Sequence, residues 1–333
     1  MTETTLAMPK RESGILRTLK AVALLRESVV GMVGAGIIVF WVTVALLADV
    51  SLFGYTVIAL SPFPPNATLM PLQMPGTDFF LNAGAKVANQ PVEEICRAIL
   101  NASGQETGQF DCGTFWLGTD HLGRDILSRI IHGARQVLIF GPLATFCAYA
   151  VGIPMGLAAG YLRGTADGIL SFIANVILSF PVLVLYVIII ATIGASAANI
   201  VIAVTFASAP GIMRIVRGLV LDLRNREYVF AAQTRGESSW RIMMIEILPN
   251  ARGPLIVDAC LRLGYVIITI GVLGFLGLGL PPPDPDWGGM INETRQMAMT
   301  FPHMALFPCF AISSLVLGFN LLADGLREVS LRD

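Results

Sequence analysis

Asp258 and Arg262 lie four residues apart inside a long apolar run. On a helix one face carries both, with the acid N-terminal to the base, the favoured order for such a pair. A charged residue within a membrane-length segment is costly, so it is a functional candidate by default. A self-neutralising pair facing neighbouring helices is the structural alternative. Elsewhere no catalytic constellation occurs: there is no HExxH, no GxSxG and no CxxC. His121, His132 and His303 are isolated, and no cysteine or carboxylate cluster completes a metal site around them. Only three lysines occur, and none follows a glycine. A GxxxxGK[ST] phosphate loop is therefore absent, so the chain is not itself a P-loop ATPase. We expect neither an enzyme nor a resident cofactor or metal.

The elements that position the charged pair follow from composition. The chain is 55% hydrophobic and 14% charged, against roughly 25% charged in soluble domains. Its solvent is a lipid bilayer. Near-zero net charge gives no reason to expect nucleic acid. Hydropathy predicts spans at about 28–48, 136–160, 169–193, 198–217, 253–276 and 304–325. Pro210 and Gly211 interrupt the fourth. The polar lead and the long first apolar run do not match a cleaved signal. Ile15, Leu19 and Val22 fall near one helical face, which predicts an interfacial helix within 11–27. Arginine and lysine concentrate in the N-terminal segment, the 214–252 region and the tail, so both termini are expected inside.

Residues 49–125 are expected to form a long external segment, proline-rich at first, with a helix-like stretch at Pro91–Leu100. Its aromatic content argues for a packed cap. Of the five cysteines, Cys147, Cys260 and Cys309 fall in spans, and Cys96 and Cys112 share the external segment. A disulfide between those two is expected, since that compartment sustains one.

Three polar segments carry further pattern. Gly118–Arg135, GTDHLGRDILSRIIHGAR, reads as turns followed by an amphipathic helix that positions the second span. Gly274–Met290, GFLGLGLPPPDPDWGGM, reads as an irregular external segment or a tight loop anchored by an interfacial Trp287. Tyr228–Pro249, YVFAAQTRGESSWRIMMIEILP, reads as a short helix ending near Arg235, a turn at Gly236, and a second helix stopped by Pro249.

Together these segments resemble ABC-importer permeases of the dipeptide, oligopeptide and nickel branch, the "C"-type inner-membrane subunit. The family's cytoplasmic pattern is Glu-Ala-Ala, three residues, Gly, nine residues, Ile, one residue, Leu-Pro. Ala231, Ala232, Gly236, Leu248 and Pro249 match it, while Phe230 and Glu246 depart from it. The resemblance implies an all-α membrane protein with six transmembrane helices in the type I importer fold. It implies that Tyr228, Ala231, Ala232, Arg235, Gly236, Leu248 and Pro249 couple the chain to an ATPase. It further implies a second permease subunit, two ATPase subunits carrying ATP and Mg, and an external substrate-binding protein. The expected organisation is a cytoplasmic segment 1–27, a first span 28–48, an external cap 49–125, a core 126–325 with coupling loop 226–250, and a tail 326–333. The expected setting is a bacterial inner membrane, with dipeptides or oligopeptides as cargo. Nickel chelate, glutathione or another small solute is the alternative within the family. A stand-alone channel or secondary transporter is the alternative outside it.

Overall fold

The computed structural model describes residues 28–48, 50–52, 55–58, 66, 71–78, 114–281 and 284–330. The expected interfacial helix within 11–27, the stretch at Pro91–Leu100, and the expected Cys96–Cys112 disulfide lie outside them.

Nine helices are described: α1 (Val29–Leu47), α2 (Ile126–Leu162), α3 (Gly164–Leu178), α4 (Val182–Ile193), α5 (Ala197–Leu223), α6 (Glu227–Thr234), α7 (Ser239–Phe275), α8 (Trp287–Thr294) and α9 (His303–Ser330). Five of them are long and apolar enough to cross a membrane, and the α3–α4 pair makes up to six. Two short antiparallel strand pairs accompany them, Val50–Leu52 with Tyr55–Ile58 and Thr77–Asp78 with Thr114–Phe115.

The predicted third span is two helices bent by 87°. Pro181 opens α4, and the residues on both sides of it are exposed. A proline lacks the N–H that continues a helix, and here no neighbouring helix holds the axis straight. Pro210, by contrast, is buried, and α5 runs through it unbroken. In membranes, packed neighbours make such prolines tolerable. The helix expected before span two is continuous with it, making α2 37 residues long.

Close approach organises the bundle. Gly152, Gly156 and Gly160 recur every fourth residue along α2 and face Ile212, Val216 and Val220 of α5. A Cβ added to Gly156 would lie 2.5 Å from that of Val216. Small residues at this spacing let membrane helices approach until backbones nearly touch. A second seam joins α1 to α9, where a Cβ on Gly34 would lie 2.5 Å from the Leu322 nitrogen. Trp41 of α1 donates to Ser314 Oγ of α9 at 3.0 Å, and Ser28 donates to Glu328 at 2.9 Å.

Candidate functional site

The bundle holds polar chemistry at three depths. Past the middle of α7, Arg262 Nε lies 2.7 Å from Asp258 Oδ2. The Tyr149 hydroxyl of α2 donates to the same carboxylate oxygen. The pair expected from sequence is therefore a triad, and Tyr149 is the member that spacing within one helix could not disclose. Both charged side chains keep about a fifth of their surface, 18% for Asp258 and 20% for Arg262. Beside them lies a cavity of about 50 Å³, lined by Thr145, Tyr186, Ser208, Arg262, Tyr265 and Thr269 among others. Charged side chains within a span rarely face hydrocarbon, so the open side of the pair is expected to face water or another protein chain.

At one end of the bundle, α6 and the start of α7 form the 226–250 segment. Val229 and Ala232 are fully buried in a cluster with Val216, Val220, Ile242 and Ile247. Phe230, Ala231 and Arg235 are exposed. Of the two matching alanines, Ala231 is therefore open and Ala232 covered, so Ala232 is a root of the element rather than an open contact surface. At Gly236, φ is +74°. Its N–H donates to Gln233 O at 2.9 Å, and the Glu237 N–H donates to Ala232 O at 3.2 Å. This pair of bonds closes a helix through a left-handed residue, which favours glycine. A Cβ there meets nothing within 4 Å, so the requirement is one of backbone alone. Glu237 pairs with Arg235 at 2.8 Å and lies 3.6 Å from Arg241.

The second helix is not stopped by Pro249. It passes through a π turn at Ile242–Ile247 into the long helix. The wider pairing, Leu248 N–H to Met243 O, relieves the clash a proline ring makes with the carbonyl four residues back. Met243 and Ile247 are buried, whereas Trp240 is 62% exposed. Leu248 and Pro249 line an open apolar groove of about 360 Å³ with Tyr149, Ile153 and Ile256.

At the opposite end, the two motifs read separately in the sequence meet. Trp287 is fully buried among helices rather than exposed at the bundle surface. Its Nε1 donates to Ile130 O at 2.9 Å, its ring packs 5.0 Å from that of Trp41, and Gly133 leaves the space it fills. The irregular segment contains α8, capped by Asp286, which accepts from the Gly288 and Gly289 N–H groups at 3.2 and 3.1 Å. Asp125 caps α2, accepting from Ser128 N at 2.8 Å. Arg124 bonds Asp120 at 2.6 Å and also reaches Glu293 of α8, which lies 3.7 Å from Arg129.

Burial pushes Asp125 and Asp286 up to about 6, against the lowering effect of the N–H groups they cap. Both keep a proton in the folded chain at pH values where the exposed groups, near 3.8, have lost it. Their contribution is therefore full below pH 4 and is lost as pH rises through 6, about 3 kcal/mol each by linkage. After division by the intrinsic exchange rate at each pH, hydrogen-exchange protection in residues 284–295 is expected to be greater at pH 5 than at pH 7.5. Asp286→Asn, which keeps a capping acceptor, should shrink that difference. A variant with an unchanged difference would contradict this account.

Residues 152–332 match the family model described as "Binding-protein-dependent transport system inner membrane component". The chain is 43% identical over 213 residues to the glutathione transport system permease protein GsiD of Pectobacterium atrosepticum, covering 64% of this chain and 71% of that protein. It is 42% identical over 213 residues to the dipeptide transport system permease protein DppC of Alkalihalophilus pseudofirmus, covering 64% and 70%. A chain from a structure of inward-facing conformations of the MetNI methionine ABC transporter shares the fold, with a TM-score of 0.51 at 19% identity, over 62% of this chain and 98% of that one. With the family model matching over half its length, this multi-pass chain belongs to the family of binding-protein-dependent transport system inner membrane components.

Proposed function

We propose that this chain is one of two permease subunits through which an ATP-driven importer passes dipeptides or oligopeptides delivered by a binding protein. The 226–250 segment lies on the cytoplasmic side and receives the ATPase; residues 114–125 and 284–295 lie on the outer side. The observation that carries this reading is the build of α6. It is rooted in the bundle by Val229 and Ala232 yet presents Phe230, Ala231 and Arg235 outward. An element anchored on one face and open on the other suits transmission of a partner's movement. ATP hydrolysis belongs to the partner subunits, with their ATP and Mg, and this chain supplies the path. Glutathione is the second cargo reading, favoured by the similarity to GsiD.

In proteoliposomes holding both permeases and both ATPases, uptake of dialanine from its loaded binding protein is expected to require ATP, with glutathione as the parallel probe. Undiminished uptake without the ATPases would instead establish a self-contained channel or secondary transporter.

A further inference from the structure

We propose that Arg262 and the cavity beside it form a carboxylate-binding contact on the transport path, which reads the free C-terminal carboxylate of a zwitterionic peptide cargo. This rests on the importer reading above and goes beyond it by naming a recognition group.

The chemistry of the cavity selects an anion. Asp258 Oδ2 already accepts from both Tyr149 and the Nε of Arg262. The remaining guanidinium nitrogens are turned toward Gly211 of α5, where a built Cβ would stand 3.4 Å from one and 3.5 Å from the other. Because that residue is glycine, no side chain of its own stands between α5 and the two terminal nitrogens. A guanidinium presents its donors in a fork that fits the two oxygens of a carboxylate. Thr145 and Thr269 donate to carbonyls of their own helices, at 2.9 Å each, so they add no competing demand. Ser208 and Tyr265 bring two further hydroxyls to the same wall.

Size and charge agree. About 50 Å³ holds roughly three or four waters, too little for a whole dipeptide but enough for one end group. Tyr265, 68% exposed, lies where the cavity meets the open surface, so the rest of a cargo would lie outside. Asp258 and Arg262 are together neutral, and a zwitterionic peptide adds no net charge. A peptide with its carboxylate capped as an amide adds one uncompensated positive charge, which a neutral mid-span site tolerates poorly. The carboxylate on Arg262 has two possible sources, the cargo or an acidic side chain of the second permease, and the test separates them.

The measurement is ATP-dependent uptake of dialanine and of dialanine amide by the reconstituted complex, each normalised to the amount loaded on the binding protein. Wild type is expected to favour the free acid by about tenfold, the scale of one charge-assisted hydrogen bond. In Asp258→Asn with Arg262→Gln the ratio should fall to about one, because both charges leave together. Gly211→Ala, a favourable helix substitution, should lower the ratio at least threefold by crowding the terminal nitrogens, and it keeps the test alive should the charge variant fail to assemble. A wild-type ratio near one would overturn the assignment and point to a partner carboxylate. So would a wild-type ratio retained in both variants. Absence of wild-type uptake of either probe would instead overturn the peptide reading on which the assignment rests.

Discussion

Asp258→Asn alone is expected to destabilise the complex more than Asp258→Asn combined with Arg262→Gln. The single change leaves a guanidinium, four-fifths covered, without its counter-charge at mid-span. Removing one partner of such a pair costs about 3 kcal/mol, while removing both leaves polar but uncharged groups that cost far less. Asparagine can still accept from the Tyr149 hydroxyl, so the effect isolates the charge. Thermal stability of the purified complex for wild type, the single variant and the double variant settles the point. Equal losses in the two variants would mean that Arg262 has another partner.

The alanine pair separates folding from coupling. Ala232→Trp is expected to unseat the 226–250 segment, since its side chain has no free surface among Val229, Ile242 and Ile247, and overpacking a filled site costs about 1–3 kcal/mol or more for so large a ring. The resemblance places Ala232 beside Ala231 at the ATPase contact, and its burial removes it from that surface. Ala231→Trp tests that surface instead, because Ala231 is exposed on the same helix. It should leave the protein in the membrane at wild-type level and abolish copurification of the ATPase. Wild-type copurification and uptake for Ala231→Trp would remove α6 from the coupling path.

Much of this was legible in one sequence because membrane spans are long and apolar, so length and hydropathy locate them. The charged pair was legible because both members share a helix at a spacing of four. Contacts between helices were not. Tyr149 lies 109 residues from Asp258, and nothing in its local pattern marks it. An interfacial anchor is one of the two roles that local pattern offers Trp287, and its partners Trp41 and Ile130 come from distant segments that local pattern does not reveal. Proline misled in both directions. Pro249 lies within a helix that a π turn keeps continuous, and Pro181 splits a run that hydropathy reads as one span.

The unbroken course of α7 makes it a lever. Its 37 residues extend roughly 55 Å at the helical rise. The base lies in the 226–250 segment, and the far end, at Gly274, abuts the Asp286 carboxylate. With the base as pivot, a tilt of only about 5° would carry the far end some 5 Å sideways and Arg262, about two-thirds along, roughly 3 Å. Such a stroke exceeds the clearance around Gly274, where even a methyl group has no room. Motion of the rod would therefore be felt simultaneously at Arg262 and at the cluster around Asp286, with no chain of side chains needed to pass it on.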